Sequence, residues 1–216
     1  APLAHAHTEG DIIVRAGAIT VNPKADSSSV KVDQGPLAGA DLGGKATMSS
    51  DTQLGLNFAY MITDHVGIEL LAATPFEHDV KLKGTGLAAA NGKLGTLKHL
   101  PPTLSVVYYP LDSKSVFQPY VGAGINYTWI YDEHVGSRAS ANGFDNFKAK
   151  NTWGVAWQIG ADYMLTDNIM INAQARYIDI DTRATVNNNL VGTGTRAKVN
   201  VDVDPWVYMV GLGYKF

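Results

Sequence analysis

Pro205-Trp206-Val207-Tyr208-Met209-Val210-Gly211-Leu212-Gly213-Tyr214-Lys215-Phe216 is the stretch that decides the fold. Counting back from Phe216, every second residue is large and apolar, and the residues between them are small, polar or moderately apolar. A period of two is typical of a β-strand with one apolar face. The length matches the roughly 9–11 residues with which a tilted strand crosses a bilayer. The stretch therefore predicts a strand of an outer-membrane β-barrel, in which barrel assembly machinery would bind at Phe216.

Composition narrows the class of protein. The chain has 216 residues, a formal net charge of −3, 22 glycines and no cysteine. We expect one domain, and the near-neutral charge argues against nucleic acid as a partner. No apolar run approaches the roughly 18 residues of a membrane-spanning helix. The sequence opens at Ala1 without a charged and apolar leader, so we expect a mature, processed form.

Seven further segments repeat the alternation of apolar and polar residues, around 12–20, 54–62, 66–72, 104–108, 121–129, 153–163 and 169–177. The connections between the strands alternate in length. Residues 22–46, 76–96, 132–147 and 185–194 are long and rich in small and polar residues, whereas 63–65, 110–115 and 166–168 are short. This arrangement is typical of outer-membrane barrels.

We therefore predict an all-β fold, an eight-stranded antiparallel transmembrane β-barrel with short periplasmic turns and long extracellular loops. Residues 11–216 would form the barrel, and residues 1–10 an N-terminal periplasmic tail. The alternative is a soluble, lipocalin-like barrel with its apolar face inward, and the polar residues on the opposite face argue against it.

If the apolar face meets lipid, the alternate residues of the lower half point into the lumen, and they are polar. Because an unpaired buried charge is expensive, charges of both signs there should pair. An eight-stranded barrel is just wide enough for side chains to fill. We expect a cross-linked polar floor, with a charged conduit as the alternative. Its main members would be Arg15, Glu69, Asp162 and Arg176, accompanied by Asn57, Ser105, Asn126, Gln158, Asn172, Gln174 and Lys215.

In the upper half the pattern inverts, because carboxylates such as Asp179, Asp181, Asp202 and Asp204 now alternate with inward apolar residues. A β-bulge near Pro205 could remove this inference for one strand. We expect a hydrophobic pocket that opens to the outside above the polar floor. Its predicted lining is Ile19, Val21, Leu71, Ala73, Pro75, Ile178, Ile180, Val201 and Val203.

Sites for metals, cofactors or catalysis are not predicted. In the calcium-loop-like stretch 200–204, Pro205 stands where glycine is required. His5 and His7 fall in the tail, which we expect to be mobile, where a chance copper or zinc site is the alternative. His65, His78, His99 and His134 fall in separate turns and loops without ligand spacing. We expect no cofactor, no metal and no enzyme activity.

Several motifs together resemble the OmpW family of outer-membrane proteins. They are Val14-Arg15-Ala16-Gly17, Asp51-Thr52-Gln53-Leu54-Gly55-Leu56, the segment 67–76, Leu100-Pro101-Pro102-Thr103-Leu104, the segment 119–127 and Asp204-Pro205-Trp206-Val207. The resemblance runs from about Gly10 to Phe216. It implies an eight-stranded barrel whose hydrophobic channel stops short of the periplasm, so that small apolar molecules leave sideways into the membrane.

Matched residue by residue to the family's motifs, the resemblance implies that Leu71 lies at the channel's constriction. It also implies that Pro101-Pro102 lie beside the lateral opening. Proline donates no ladder hydrogen bond, which fits an interruption between strands. Arg176 departs from the family pattern, because relatives can carry an aromatic residue beside this stretch of the chain. The arginine makes the floor more cationic.

Three functions remain open from the sequence. The first is passive uptake of small hydrophobic solutes into the outer membrane. The second is a narrow channel for small polar solutes such as amino acids. The third is a receptor or structural role of the loops 22–46 and 76–96, which would bind a phage, a bacteriocin or lipopolysaccharide. The expected partners are the lipid bilayer, lipopolysaccharide and small hydrophobic solutes.

Overall fold

The structure is a computed structural model that describes residues 6–24, 26–190 and 192–216. The described residues form strands, one short α-helix, α1 (Ser137–Ala141), and one 3-10 turn at Ala88–Ala90. The strands are β1 (Ile12–Asn22), β2 (Asp26–Ser27), β3 (Val30–Gln34), β4 (Asp41–Gly43), β5 (Lys45–Met48), β6 (Asp51–Met61), β7 (Val66–Ala73), β8 (Phe76–Lys83), β9 (Gly92–Leu100), β10 (Thr103–Tyr108), β11 (Phe117–Val135), β12 (Phe144–Ala149), β13 (Thr152–Met164), β14 (Ile169–Ile178), β15 (Asp181–Asn188), β16 (Arg196–Asp202) and β17 (Trp206–Lys215). Among the described residues, no helix is long and apolar enough to cross a membrane.

Eight of these strands close into a ring. Their order is β10-β7-β6-β1-β17-β14-β13-β11, and a ladder between β10 and β11 completes the circle. Every neighbouring pair is antiparallel. The first strand, β1, pairs with the last strand, β17, in a register that runs from Ile13↔Lys215 to Asn22↔Trp206. The predicted eight-stranded antiparallel barrel is confirmed.

The outer face of the ring is apolar and exposed, as the alternation predicts. Val210 is 62% and Trp157 60% exposed, although both would be buried in a soluble core. Aromatic residues form two girdles on this face, which mark the membrane boundaries of a transmembrane barrel. The upper girdle contains Tyr127, Trp129, Trp153, Tyr177 and Trp206, and the lower girdle contains Tyr60, Tyr108, Tyr163, Tyr214 and Phe216.

The long extracellular connections are themselves largely strands. One wall above the ring is the upper part of β11 with β9, β8 and β5, and the other is the sheet β12-β15-β16-β3-β4. The physical reason is that alternation continues in these segments, with Phe76, His78, Val80 and Leu82 buried and the residues between them at least partly exposed. The barrel therefore continues upward as two facing walls around an apolar interior.

The N-terminal segment enters the lower mouth of the ring. The backbone N–H of Ala6 donates to the carbonyl of Ser113 at 2.6 Å, and the His7 side chain is fully buried. The prediction that His7 lies in a mobile tail is wrong, because the side chain is held by partners inside the lumen. His5 lies outside the described residues, and the division into a tail of residues 1–10 and a barrel of residues 11–216 stays a prediction.

Candidate channel and its polar floor

Arg15, on β1, is the centre of the lower lumen. Its guanidinium donates to the Asp162 carboxylate on β13 through Nη2 at 2.5 Å and Nε at 3.1 Å. The remaining donors reach the hydroxyl of Tyr109 at 3.0 Å and the amide oxygen of Asn57 at 2.9 Å. Arg15 and Asp162 are both fully buried, so each supplies the counter-charge that the other needs away from water.

Glu69, on β7, joins this cluster to a second arginine. Its Oε1 accepts from Arg176 Nη2 and from Gln158 Nε2, the latter at 3.0 Å. Its Oε2 lies 3.5 Å from Nη1 of Arg15. Arg176 also donates to Gln174, through Nε at 2.9 Å. One continuous set of contacts therefore crosses the lumen from Asp162 to Gln174.

The rest of the predicted floor is also buried. Asn172 donates to Asp162 at 2.7 Å and to the hydroxyl of Tyr120 at 2.9 Å, while the Tyr120 ring lies under Arg15. His7 adds a contact from below, with Nε2 2.8 Å from Asp162. The structure brings together Arg15, Glu69, Asp162 and Arg176, which the sequence analysis had named as a set. Charge pairs and amides, rather than an open bore, occupy this level.

Above the floor the lumen is apolar. Of the predicted pocket residues, all but Ala73 and Pro75 are buried, and Ala73 packs against them from a half-buried position. They belong to one cluster with Phe76, Leu97, Ile130 and Val207. The cluster contains Ile19, Val21, Leu71, Ile178, Ile180, Val201 and Val203.

A cavity of about 350 Å³, a volume that includes its open end, lies in this apolar cluster. Its lining includes Val21, Ile180 and Val203 from the predicted set. The other predicted residues, except Pro75, lie in or against the same cluster but do not line the cavity. A second apolar cavity of about 220 Å³ lies between the two walls, beside Phe147 and Val199.

Two histidines that the sequence analysis placed in separate loops line the larger cavity. His78 lies on β8 and His99 on β9, and their rings stack with centroids 4.7 Å apart. The expectation that they are separate is wrong, since β8 and β9 are paired strands. Phe76 extends the stack, 5.2 Å from His99. The alternation of residues 76–82 was the signal that could have found His78.

Pro75 explains why that signal was missed. Leu71 points inward, but Pro75 is exposed and Phe76 is buried, so the inward positions change from odd to even numbers between β7 and β8. The prediction that Pro75 faces the lumen is wrong. Near Pro205, where a bulge was considered, Val203, Pro205 and Val207 are all buried, so the alternation continues.

The barrel wall is interrupted at the height of the cavity. The ladder between β7 and β10 ends at the pair Leu71↔Thr103, and the ladder between β8 and β9 starts at Phe76↔His99. Residues 72–75 and 100–102, all described, lie between these pairs and form no ladder pair with each other. Pro101, which is buried, and Pro102, which is exposed, belong to this seam.

A second seam, between β14–β15 and β16–β17, is closed by backbone hydrogen bonds. The carbonyl of Ile180 accepts from the N–H of Val203 at 2.8 Å, and the carbonyl of Pro205 accepts from Ile178 at 3.2 Å. Both seams interrupt the strands. Among the described residues, only the seam beside Pro101 lacks cross-strand hydrogen bonds.

The outer surface of the second seam is acidic. Ligand atoms of Asp179, Asp181 and Asp204 lie within 4.8 Å of one another. Burial, a hydrogen bond that the protonated carboxyl donates to Asp202 and the charges of its acidic neighbours raise the pKa of the Asp181 carboxyl to about 6. Burial and Asp179 also raise the pKa of Asp204. These carboxylates lie above the upper girdle and repel each other when ionised.

A closed eight-stranded ring with an apolar outer face and two aromatic girdles defines an integral β-barrel protein of the bacterial outer membrane. Comparison with known proteins agrees. The model of the OmpW family matches residues 8–216, which is nearly the whole chain. The chain belongs to the OmpW family.

Individual relatives point the same way. Outer membrane protein W of Vibrio cholerae is 43% identical over 212 residues, covering 98% of this chain and 91% of that protein. The crystal structure of the outer membrane protein OprG from Pseudomonas aeruginosa superposes with a TM-score of 0.89 at 48% identity, covering 97% of each chain. A more distant relative, the dibenzothiophene metabolism operon protein PahQ of Pseudomonas aeruginosa, is 27% identical over 175 residues, covering 81% of this chain and 76% of that protein.

Proposed function

We propose that this protein is a passive channel through which small hydrophobic molecules enter the outer membrane from outside. The observation that carries the proposal is the apolar upper lumen directly above a floor of paired charges. An apolar solute gains from entering the upper lumen, because its surface leaves water. Going further down would separate Arg15, Glu69 and Arg176 from their partners, which is costly.

The exit we propose is sideways, through the seam between residues 72–75 and 100–102. A solute that moves from an apolar lumen into lipid keeps an apolar environment throughout. Backbone groups without ladder partners are tolerated at membrane depth only where they line a cavity. The unpaired seam at the level of Leu71 supports this route, as does the missing N–H of Pro101. The name of the relative PahQ, which refers to dibenzothiophene metabolism, supports an apolar aromatic class of solute.

Uptake by whole cells tests the proposal. Plain phospholipid vesicles are a poor choice because apolar solutes already dissolve in them. Cells that lack the protein should take up a terpene or an alkane more slowly than cells supplied with it. Equal rates would overturn the proposal.

A second candidate is a narrow channel for small polar solutes. The polar lower lumen favours it, since Gln158, Gln174 and Asn172 offer hydrogen bonds along the path. Liposome swelling with glycine or alanine separates the candidates. The paired floor predicts no swelling, and rapid swelling would favour the polar channel.

The remaining partners belong to the proposal as well. We propose that lipopolysaccharide contacts the outer surface of the extracellular walls, where basic Lys148, Lys150 and Arg183 lie near the acidic cluster. Deletions in the segments 22–46 or 76–96 that abolish phage or bacteriocin binding while sparing uptake would favour a receptor role. We also propose that the protein performs no catalysis and needs no cofactor.

A further inference from the structure

A backbone carbonyl holds the His78 ring in one tautomer. Its Nδ1 lies 2.6 Å from the oxygen of Ser49, which can only accept a hydrogen bond. Burial lowers the pKa of His78 and, well below the usual value, that of His99, so both rings are neutral at pH 7. We therefore assign the single proton of His78 to Nδ1, which leaves Nε2 as a bare acceptor.

That acceptor has no partner. His78 is 1% exposed and lines the 350 Å³ cavity, and its Nε2 has no hydrogen-bond partner among the described residues. His78 is one of the residues that line the cavity, and Nε2 is the ring nitrogen farther from its backbone. A buried acceptor left without a donor is unfavourable, and a buried polar group in this state needs an explanation.

The hydroxyl groups around the cavity do not supply the missing donor. Thr128 donates to the amide oxygen of Asn126 at 2.6 Å, and Thr182 donates to the carbonyl of Lys150 at 2.8 Å. Both O–H groups are directed to the protein. The cavity therefore combines apolar walls with the stacked rings of His78 and His99. These rings carry the unpartnered Nε2 acceptor of His78 and the one donor and one acceptor nitrogen of neutral His99.

We propose that the preferred solute of this cavity is an apolar aromatic molecule that carries one O–H or N–H donor, such as a phenol or an indole. The donor would reach His78 Nε2 while the ring packs on His99 and on the apolar lining at Leu97 and Ile130. This inference rests on the proposed uptake of hydrophobic solutes and names the class within it. A pure hydrocarbon would enter but leave Nε2 unpaired, and an ether or a ketone, which only accepts, would also leave Nε2 unpaired.

The test uses naphthalene, 2-methoxynaphthalene and 2-naphthol, which share a ring system and differ in having no polar group, an acceptor, or a donor. Uptake is measured at pH 7 in cells that carry the wild type, His78→Phe or His78→Gln. Phe keeps an aromatic ring and removes the acceptor, whereas Gln places an amide oxygen near the position of Nε2. Heat-modifiable migration in gels checks that each variant is folded.

We expect His78→Phe to slow 2-naphthol about three- to tenfold more than it slows the other two solutes, the worth of one hydrogen bond. His78→Gln should recover part of the loss. The inference is overturned if His78→Phe leaves 2-naphthol unchanged, or if it slows all three solutes equally.

A binding measurement separates this inference from the proposed function. The fluorescence of 2-naphthol is titrated with the purified protein in nanodiscs, for the wild type and His78→Phe. If no solute shows protein-dependent uptake, the proposed function fails, and weaker binding to His78→Phe would still support the acceptor site. If naphthalene uptake depends on the protein and both proteins bind 2-naphthol equally, only the acceptor site is wrong.

Discussion

Nε2 of His7 lies 2.8 Å from Oδ2 of Asp162, a residue 155 positions further along the chain. The His7 ring also meets the edge of Tyr109, with centroids 4.9 Å apart. These contacts make the N-terminal segment part of the floor, since it closes the lower mouth beneath the pair of Arg15 and Asp162.

Replacing His7 with Ala should destabilise the barrel modestly. The variant loses one buried hydrogen bond to a carboxylate, which is worth about 1.5–3 kcal/mol. Denaturant unfolding in detergent micelles, followed by tryptophan fluorescence, measures the loss. Glu9→Ala is the matched control because its side chain is exposed. Equal midpoints for His7→Ala and the wild type would show that the contact contributes nothing.

Removing the carboxylate of Glu69 should lower the free energy of unfolding more than His7→Ala does. Arg15 and Arg176 would then face each other without the group that lies between them, and breaking a buried ion pair from one side costs about 3–5 kcal/mol. We expect Glu69→Ala to unfold at clearly lower denaturant concentration. Glu77→Ala, on the exposed side of β8, is the control.

The double variant Glu69→Ala/Arg176→Ala should change transport as well as stability. It removes a buried charge and its partner together, so it opens the floor without leaving an isolated arginine. Liposomes that contain it should swell in glycine faster than liposomes with the wild type. Unchanged swelling in a folded double variant would mean that other residues close the lumen.

Pro101→Ala should narrow the wall opening. The carbonyl of Pro102 accepts from the N–H of Tyr127 at 3.1 Å, on the β11 side. In extended backbone a residue's N–H and C=O point to the same edge, so the N of Pro102 faces β11 and the N of Pro101 faces residues 72–75. Alanine at 101 adds a donor to the unpaired seam.

We therefore expect Pro101→Ala, and the double variant Pro101→Ala/Pro102→Ala, to slow hydrophobic uptake by cells several-fold while folding persists. Pro102→Ala alone should have little effect, and Pro110→Ala, in a periplasmic turn, should have none. A double variant that transports as well as the wild type would exclude a lateral route at this site.

The acidic surface of the second seam should give a pH dependence. The pKa of Asp181 is about 6 in the folded protein, above its usual value of about 3.9. The folded state therefore binds the proton more tightly than the unfolded chain, and the resulting stability is present below pH 4 and lost as pH rises through 6.

Asp181→Asn should stabilise the extracellular walls at pH 7 and reduce the dependence on pH between 4 and 7. Limited proteolysis of the walls at several pH values measures this. Asp33→Asn should act with the opposite sign, because a hydrogen bond from Arg196 lowers the pKa of Asp33, so its stabilisation is lost as pH falls. Identical pH profiles for Asp181→Asn and the wild type would contradict the assignment.

The ring and the floor could be predicted because lipid on one side forces a strict alternation, which places Arg15, Glu69, Asp162 and Arg176 inward by counting alone. The cavity was harder to predict. One extra residue near Pro75 changes the inward positions of β8, and that change hid His78. The burial of His7 has no periodic signal at all, since a single side chain reaches the lumen by tertiary contact. Whether backbone groups pair across the seam depends on which strands are neighbours there. The sequence alone does not show this.

The closed floor bears on how many copies of the protein a cell can carry. Every copy of an open pore adds leakage. A larger number of such pores raises the nutrient supply but also the loss of small molecules and the entry of toxic ones. On the proposed function, a barrel in which Arg15, Glu69 and Arg176 are locked together above His7 would add hydrophobic entry points without adding aqueous conductance. If the protein is the channel proposed above, its abundance can rise with the supply of apolar nutrients while the sieving of the outer membrane stays the same.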